Sequence, residues 1–212
     1  MPQLIHPAAP NLPVPTADYQ PRYHEQFNNV LRLYFNRLNN NLLALFSAYG
    51  GQYISLPLGS FYSTVDQTAV STTAEYAITY NTTSIANGVE IQNDSQIRVT
   101  YPGYYNIQFS VQLSNNDNAP QDIDIWFKKN GVNVADSNSR FGLAARKSSG
   151  DPYHTIAALN FIVFLTPDDY LQLYWCTTNT AAKIEYYAAP SSPTRPAIPS
   201  VILTATFVSA TE

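Results

Sequence analysis

Imidazole or thiol chemistry could start at only four side chains of this sequence: His6, His24, His154 and Cys176. His6 lies in a proline-rich opening stretch, and His24 lies at the beginning of a helical pattern. That leaves His154 to work with Cys176 or a serine, and it reads as a loop residue beside Tyr153. A nucleophile needs a base within hydrogen-bond reach and a carboxylate to orient that base; no spacing here supplies the set. Cys176 sits in an apolar, strand-like run and reads as a buried, inert thiol. As the one cysteine, it can close no intrachain disulfide. Asp122 and Asp124 have the types and proximity of an acid–base pair. Their alternation with Ile123 and Ile125 makes them the outward side of a strand instead. The run Asn115-Asn116-Asp117-Asn118 is rich in oxygen and could bind calcium weakly, but its spacing matches no calcium hand. Phosphate-cradling glycine loops, paired-histidine zinc helices, Cys-x-x-Cys and Gly-x-Ser-x-Gly are all missing. The expectation is no catalytic residue, no cofactor and no metal: not an enzyme.

The aromatic side chains say more. There are 16 Tyr, 10 Phe and 2 Trp among 212 residues, while charged residues make up only 12%. That share is about half the usual one, so Ser, Thr, Asn, Gln and Tyr must cover the surface. Such a surface suits exposed sheets and contact with sugars or other proteins. Net charge is −4 without any like-charge run, and Lys128-Lys129 and Arg146-Lys147 are only pairs in turn-rich contexts. A chain built to neutralise phosphates clusters its cations, so nucleic acid is not expected as a partner. Obligate subunit interfaces favour aromatic residues and deplete charge. Tyr170, Tyr174, Tyr186 and Tyr187 are therefore candidates for a subunit interface, and Phe141 and Tyr153 for loop aromatics that stack on a sugar.

Three kinds of element must position these residues. Residues 1–20 form a Pro-rich arm with Pro2, Pro7, Pro10, Pro13 and Pro15, which reads as extended. Leu4, Ile5, Leu12 and Val14 lie between the prolines, giving either an anchor peptide that docks on another protein or a disordered tail. Residues 21–51 hold a helix over 21–48, with Pro21 in the first turn, Asp18 as a cap and Gly50-Gly51 as the stop. Phe27, Leu31, Tyr34, Leu38, Asn41 and Leu45 step by four and three, a heptad seam with one polar position. Val30, Phe35, Leu42 and Phe46 widen that stripe, which favours three packed helices over two. The other reading is one amphipathic helix lying on the remainder of the chain.

From residue 52 to 212 the period changes to two. Tyr105, Ile107, Phe109, Val111 and Leu113 alternate with polar residues, as do Ile123, Ile125 and Phe127, then Leu171, Leu173 and Trp175. Turn signals separate the runs, the sharpest being Asn130-Gly131. No helical pattern intervenes, which excludes parallel β-α-β units and predicts a mainly β, antiparallel sandwich. No stretch reaches the roughly 18 apolar residues of a membrane span, and the opening residues lack the order of a secretion signal.

Gly103-Tyr104-Tyr105-Asn106-Ile107-Gln108-Phe109, with Ile97 six positions earlier, resembles the core-strand signature of the complement globular-head and tumour-necrosis-factor-like modules. Gly103, Tyr105 and Phe109 match, and Ile107 stands where that family has Phe. The run Leu165-Thr166-Pro167-Asp168-Asp169-Tyr170-Leu171 sits where the family has a Gly-Asp turn, here without the Gly. Glu90 also departs from the family pattern. The resemblance implies a trimeric jelly roll over about residues 55–210. The N-terminal block, Tyr23-His24-Glu25-Gln26-Phe27 and then Leu31-Arg32-Leu33-Tyr34-Phe35-Asn36-Arg37-Leu38, is similar to the start of virion structural proteins of tailed phages, marine ones especially.

Together these give the expectation of a homotrimeric virion protein: a fibre, spike or head decoration, assembled in the host cytoplasm. The arm would meet other virion proteins, the helices would form a trimeric stalk, and the jelly-roll head would bind surfaces, host glycan included, or stabilise the particle. Neither nucleic acid nor membrane insertion is expected. The competing expectations are a secreted trimeric recognition module and a carbohydrate-active β-sandwich enzyme.

Overall fold

The computed structural model describes residues 7–15, 17–46 and 55–210. Its contacts divide the chain into two units that meet between Ser55 and Leu56.

In the first unit, residues 7–15 have no regular secondary structure, and helix α1 runs Pro21–Leu45. Its N-cap is Gln20, not the expected Asp18, and the Gln20 side chain makes no capping bond. Pro21 follows, contributing a preset φ and no unsatisfied N–H. The helix closes when the Phe46 N–H donates to the Leu42 carbonyl at 2.9 Å. The expected stop at Gly50-Gly51 lies outside the described residues.

The second unit is mainly β. In chain order its strands are β1 Leu58–Ser63, β2 Gln67–Thr68, β3 Tyr76–Ala77, β4 Thr82–Asn87, β5 Val89–Gln92, β6 Gln96–Val99 and β7 Gly103–Asn115. They continue as β8 Gln121–Lys129, β9 Val132–Asn133, β10 Ser139–Leu143, β11 Tyr153–Leu165, β12 Leu171–Thr177, β13 Ala182–Ile184 and β14 Val201–Ser209. Every pairing is antiparallel. One sheet runs β11-β7-β14-β1-β4, with β13 and β2 extending it past the end of β14; the other runs β10-β8-β12-β6-β5, with β3 and β9 added. The long strands β7, β8, β11, β12 and β14 fall alternately in the two sheets. That crossing is the jelly-roll connection.

The period-two pattern is the reason for the packing. Along β7, residues alternate between buried and more open from Gly103 onward, so Tyr105, Ile107, Phe109, Val111 and Leu113 all enter the core. Ile123, Ile125, Phe127, Leu171, Leu173 and Trp175 meet them from the second sheet. Gly103 is needed for a close approach: a Cβ there would stand 2.5 Å from the Phe207 ring and 2.7 Å from the Ser209 carbonyl oxygen. Tyr105 is fully buried, and its hydroxyl donates to the Tyr101 carbonyl at 2.8 Å, tying the turn to the core. The Asn130-Gly131 hairpin forms as read, with φ of 52° and 79° and Lys129 paired with Val132. The turn that lacks the family's glycine is held by Asp169. Its carboxylate accepts the Thr166 N–H at 2.9 Å and the Asn130 amide at 2.7 Å, and it pairs with Lys129 at 2.9 Å.

Candidate interaction surfaces

The five strands β11, β7, β14, β1 and β4 contain not one Asp, Glu, Lys or Arg. Their side chains alternate, so half face the core and half face outward. The outward rows run across the sheet by register. One row is Ile162, Asn106, Thr206, Leu58 and Asn87; the next is Asn160, Gln108, Thr204, Ser60 and Ile85; a third is Ala158, Ser110, Ile202, Tyr62 and Thr82. Ile156 and Ile162 are each 58% exposed and Ile202 is 41% exposed. Strand β11 pairs along its whole length with β7 alone. Its other edge carries neither charge nor proline, the usual protections of a long edge strand.

The outer face of the second sheet is built differently. Asp124 accepts two parallel bonds from Arg140, both 2.8 Å. Lys128 pairs with Glu75 and lies 4.3 Å from the centre of the Tyr174 ring. Tyr174 packs at 6.1 Å against Trp126, and Arg98 stands 5.3 Å from the centre of the Tyr170 ring. Several of the charges here are matched within one chain.

In the first unit, no described residue of α1 is buried. The seam residues Phe27, Leu31, Tyr34, Leu38, Asn41 and Leu45 are all half-buried, and Tyr23, Val30 and Ala44 share that stripe. Phe35, Leu42 and Phe46, which widen the stripe in sequence, are exposed, as are Leu33 and Leu43. Of the arm residues, Leu12 and Val14 are exposed, whereas Leu4 and Ile5 lie outside the described residues. Asn11, Leu12 and Pro13 line a shallow hollow with Gln26, Asn29 and Val30.

The four tyrosines read as one interface do not share a face. Tyr170 and Tyr174 belong to the charged sheet, where cations cover both rings. Tyr186 and Tyr187 follow β13 at the end of the first sheet, where the Tyr186 N–H donates to Asp66 at 2.8 Å. Phe141 and Tyr153, read as loop aromatics, lie in β10 and β11 and pack against the core. Strand alternation turns both inward. Cys176 is also corrected: its strand parity points it outward beside Asp124, and it is half-exposed. Burial, and then the Asp124 carboxylate, push its thiol above the ordinary value, so it is a poor nucleophile.

His154 is in strand β11, not in a loop, and it starts a polar chain. Its Nδ1 lies 2.8 Å from the Tyr187 hydroxyl, which donates to Glu185. Lys183 joins Glu185 at 2.9 Å and Asp66 at 2.7 Å. Burial raises the Glu185 carboxyl, but bonds from Tyr187 and Lys183 outweigh it and hold the group below its usual range. Burial, and then Glu185, push the Tyr187 phenol above its usual range. Glu185 is thus ionised, the phenol protonated and the ammonium shared by two carboxylates. This chain clasps the segment after β13 to β11 and to Asp66; it offers no unengaged base beside a nucleophile. The Asn115–Asn118 run is likewise used internally. Asn115 donates to the Ala119 and Ala144 carbonyls, and Asp117 accepts from Gln121 and Asn179, both at 2.6 Å.

No family model matches this chain, and no curated protein matches it in sequence. No described helix is long and apolar enough to cross a membrane. What the geometry offers is surface: one sheet face free of Asp, Glu, Lys and Arg over five strands with an unguarded edge, one charged face whose ions are partly matched within the chain, and a helix whose apolar stripe lacks a full cover. The uncharged strands were legible in the sequence as 103–115, 153–165 and 201–209, three long runs without an Asp, Glu, Lys or Arg.

Proposed function

We propose that the chain is a non-enzymatic virion structural protein of a tailed phage. It is a homotrimeric fibre, spike or head decoration that uses its N-terminal arm as anchor and its helices as stalk. Its β head binds surfaces or stabilises the particle. The observation that carries the trimer is the uncharged outer face of β11, β7, β14, β1 and β4, with Ile156, Ile162 and Ile202 exposed beside a bare edge strand. A second copy of the same chain is the occupant that fits. It would bring an equally uncharged surface, it would shield the edge, and it would leave the matched charges of the other sheet in water. The half-buried seam of α1 supports the same reading, because an amphipathic helix draws most of its stability from packing its apolar stripe. The phage assignment rests on the resemblance of the N-terminal block. Three linked heads multiply a weak single-site affinity.

Two measurements test this. Native mass spectrometry of the full chain is expected to return three copies of the 23.6 kDa protomer; a single copy overturns the trimer. Antibody labelling of intact particles in the electron microscope is expected to place the protein on the virion, and turnover of host polysaccharide by the purified chain would overturn the non-enzymatic reading.

A further inference from the structure

We infer that the charged sheet carries a saccharide-binding hollow beside Trp126, which deepens and rests on the surface-binding part of the reading above. The hollow comes from an interruption in the strand that flanks β8. Asn133 still pairs with Lys128, and pairing resumes only at Ser139 with Ile125. The five residues 134–138 therefore stand opposite two, Trp126 and Phe127, and must leave the sheet plane. Their bulge is fixed internally. The Val134 N–H donates to the Phe127 carbonyl at 2.9 Å, and the Ser137 hydroxyl accepts the Phe127 N–H at 3.0 Å and donates to the Val134 carbonyl at 2.8 Å. Asp136 takes the left-handed conformation with φ of 60°. Between this bulge and Trp126 lies a hollow of about 310 Å³, lined by Asp124, Trp126, Asn133, Asp136, Asn138 and Cys176 among others.

The lining has the chemistry of sugar recognition. A pyranose has an apolar C–H face and a rim of hydroxyls that each donate and accept. Its complement is one aromatic surface with amides and carboxylates around it. Trp126 supplies the aromatic surface, held in place by its Nε1–H bond to Asn133 at 2.9 Å and by the Tyr174 ring. Asn133, Asn138 and Asp136 supply exposed polar groups. Because Trp126, Asn133 and Asp124 are held by contacts within the chain, that part of the hollow needs little ordering on binding. A cationic peptide would instead favour several unmatched carboxylates; here Asp124 is matched by Arg140, which leaves Asp136 as the single carboxylate of the lining without an ion pair. The volume lies at the small end of the roughly 300–1,000 Å³ range of ligand pockets, room for one or two sugar rings.

Trp175 is buried, so Trp126 is the fluorophore a ligand can reach. The test titrates the full chain with glucose, galactose, N-acetylglucosamine, maltose, lactose and chitobiose while tryptophan emission is followed. At least one sugar is expected to give a saturable change. Asn138→Ala and Asp136→Asn should each weaken it by about tenfold, the loss of one good hydrogen bond, with the melting curve unchanged. Trp126→Phe should remove the signal, and calorimetry should show the affinity falling with it. Silence from all six sugars overturns the inference, as does unchanged affinity in both Asn138→Ala and Asp136→Asn. A response only to a lysine-rich peptide also overturns it and makes the hollow a cation site. A trimer that binds no sugar sinks the hollow alone, and a monomer that binds one sinks the trimer alone.

Discussion

The two outer faces of the sandwich solve the same problem in opposite ways. The second sheet carries Glu90, Arg98, Asp122, Asp124, Lys128, Lys129 and Arg140 on its strands and matches several of them within the chain. It is finished as a solvent surface. The long strands of the first sheet carry none of these residue types, yet expose isoleucine on the edge strand. A face without charge has little to keep other chains away. The comparison teaches that charge placement, more than aromatic count, separates the two faces of this sandwich.

The largest expected effect comes from breaking that asymmetry. Ile162→Asp with Ile202→Asp places two carboxylates on the uncharged face. Both positions are exposed in one chain, so the fold itself should lose at most about 0.5 kcal/mol per site. Burying unpaired carboxylates between copies would cost several kcal/mol, on the order of a hundredfold or more in association. Light scattering should show trimer becoming monomer, with the monomer still folded and melting cooperatively. Gln92→Asp, on the strand β5 of the other sheet, should leave the mass alone. If both changes leave a trimer, the two faces do not differ in the way argued.

Next in size is the stalk. Leu31→Asp with Leu38→Asp should also release monomers, because both residues lie on the seam of α1. If the mass stays trimeric while the head double variant dissociates, association belongs to the head and the helix contributes little. The opposite result would move the trimer to the stalk and leave the uncharged face for some other partner.

How much of this could be read without coordinates follows from what each signal depends on. The sandwich was legible because alternation in Tyr105–Leu113 and Leu171–Trp175 is a local property of the chain. The Asn130-Gly131 hairpin was legible for the same reason. The site was not. Whether Tyr174 faces a partner or lies under Lys128 depends on residues 46 positions apart in sequence, brought together only by the β8–β12 pairing. Phe141 and Tyr153 looked like loop residues because one lies in a five-residue strand and the other is the first residue of β11, and the turn-rich stretch 144–152 between them hides both. The bulge at 134–138 has no sequence signature beyond Asp136-Ser137-Asn138, a string of ordinary turn residues.

A third prediction tests whether the charged face holds together within one chain. Burial alone would raise the Asp169 carboxyl; bonds from Lys129, Asn130 and Thr166 outweigh it and hold the group well below the usual carboxylate range. A carboxylate depressed in the folded state adds stability that is full above its unfolded value and fades as pH falls through the folded one. Asp169→Asn should therefore cost about 2 kcal/mol at pH 7, the scale of hydrogen bonds to a charged group. The gap to the parent chain should narrow below about pH 4. Urea melts at pH 7 and pH 3 measure it, and an equal gap at both values would refute the carboxylate's role.

The smallest effect probes the matched charges directly. The Lys128 ammonium pairs with Glu75 and lies over the Tyr174 ring, while its stem is largely buried. Lys128→Met keeps the stem and removes the charge. The loss should be about 1 kcal/mol, because a half-exposed ion pair and a cation over an aromatic ring are each worth roughly that or less. Mass should not change, since this face is not the one argued to be covered. Salt separates the two faces further. About 1 M sodium chloride shortens the screening length to about 3 Å, so it should shrink the Lys128→Met deficit while leaving association through the uncharged face intact. Dissociation of the parent trimer by salt alone would mean that charge pairs, absent from β11, β7 and β14, hold the copies together after all.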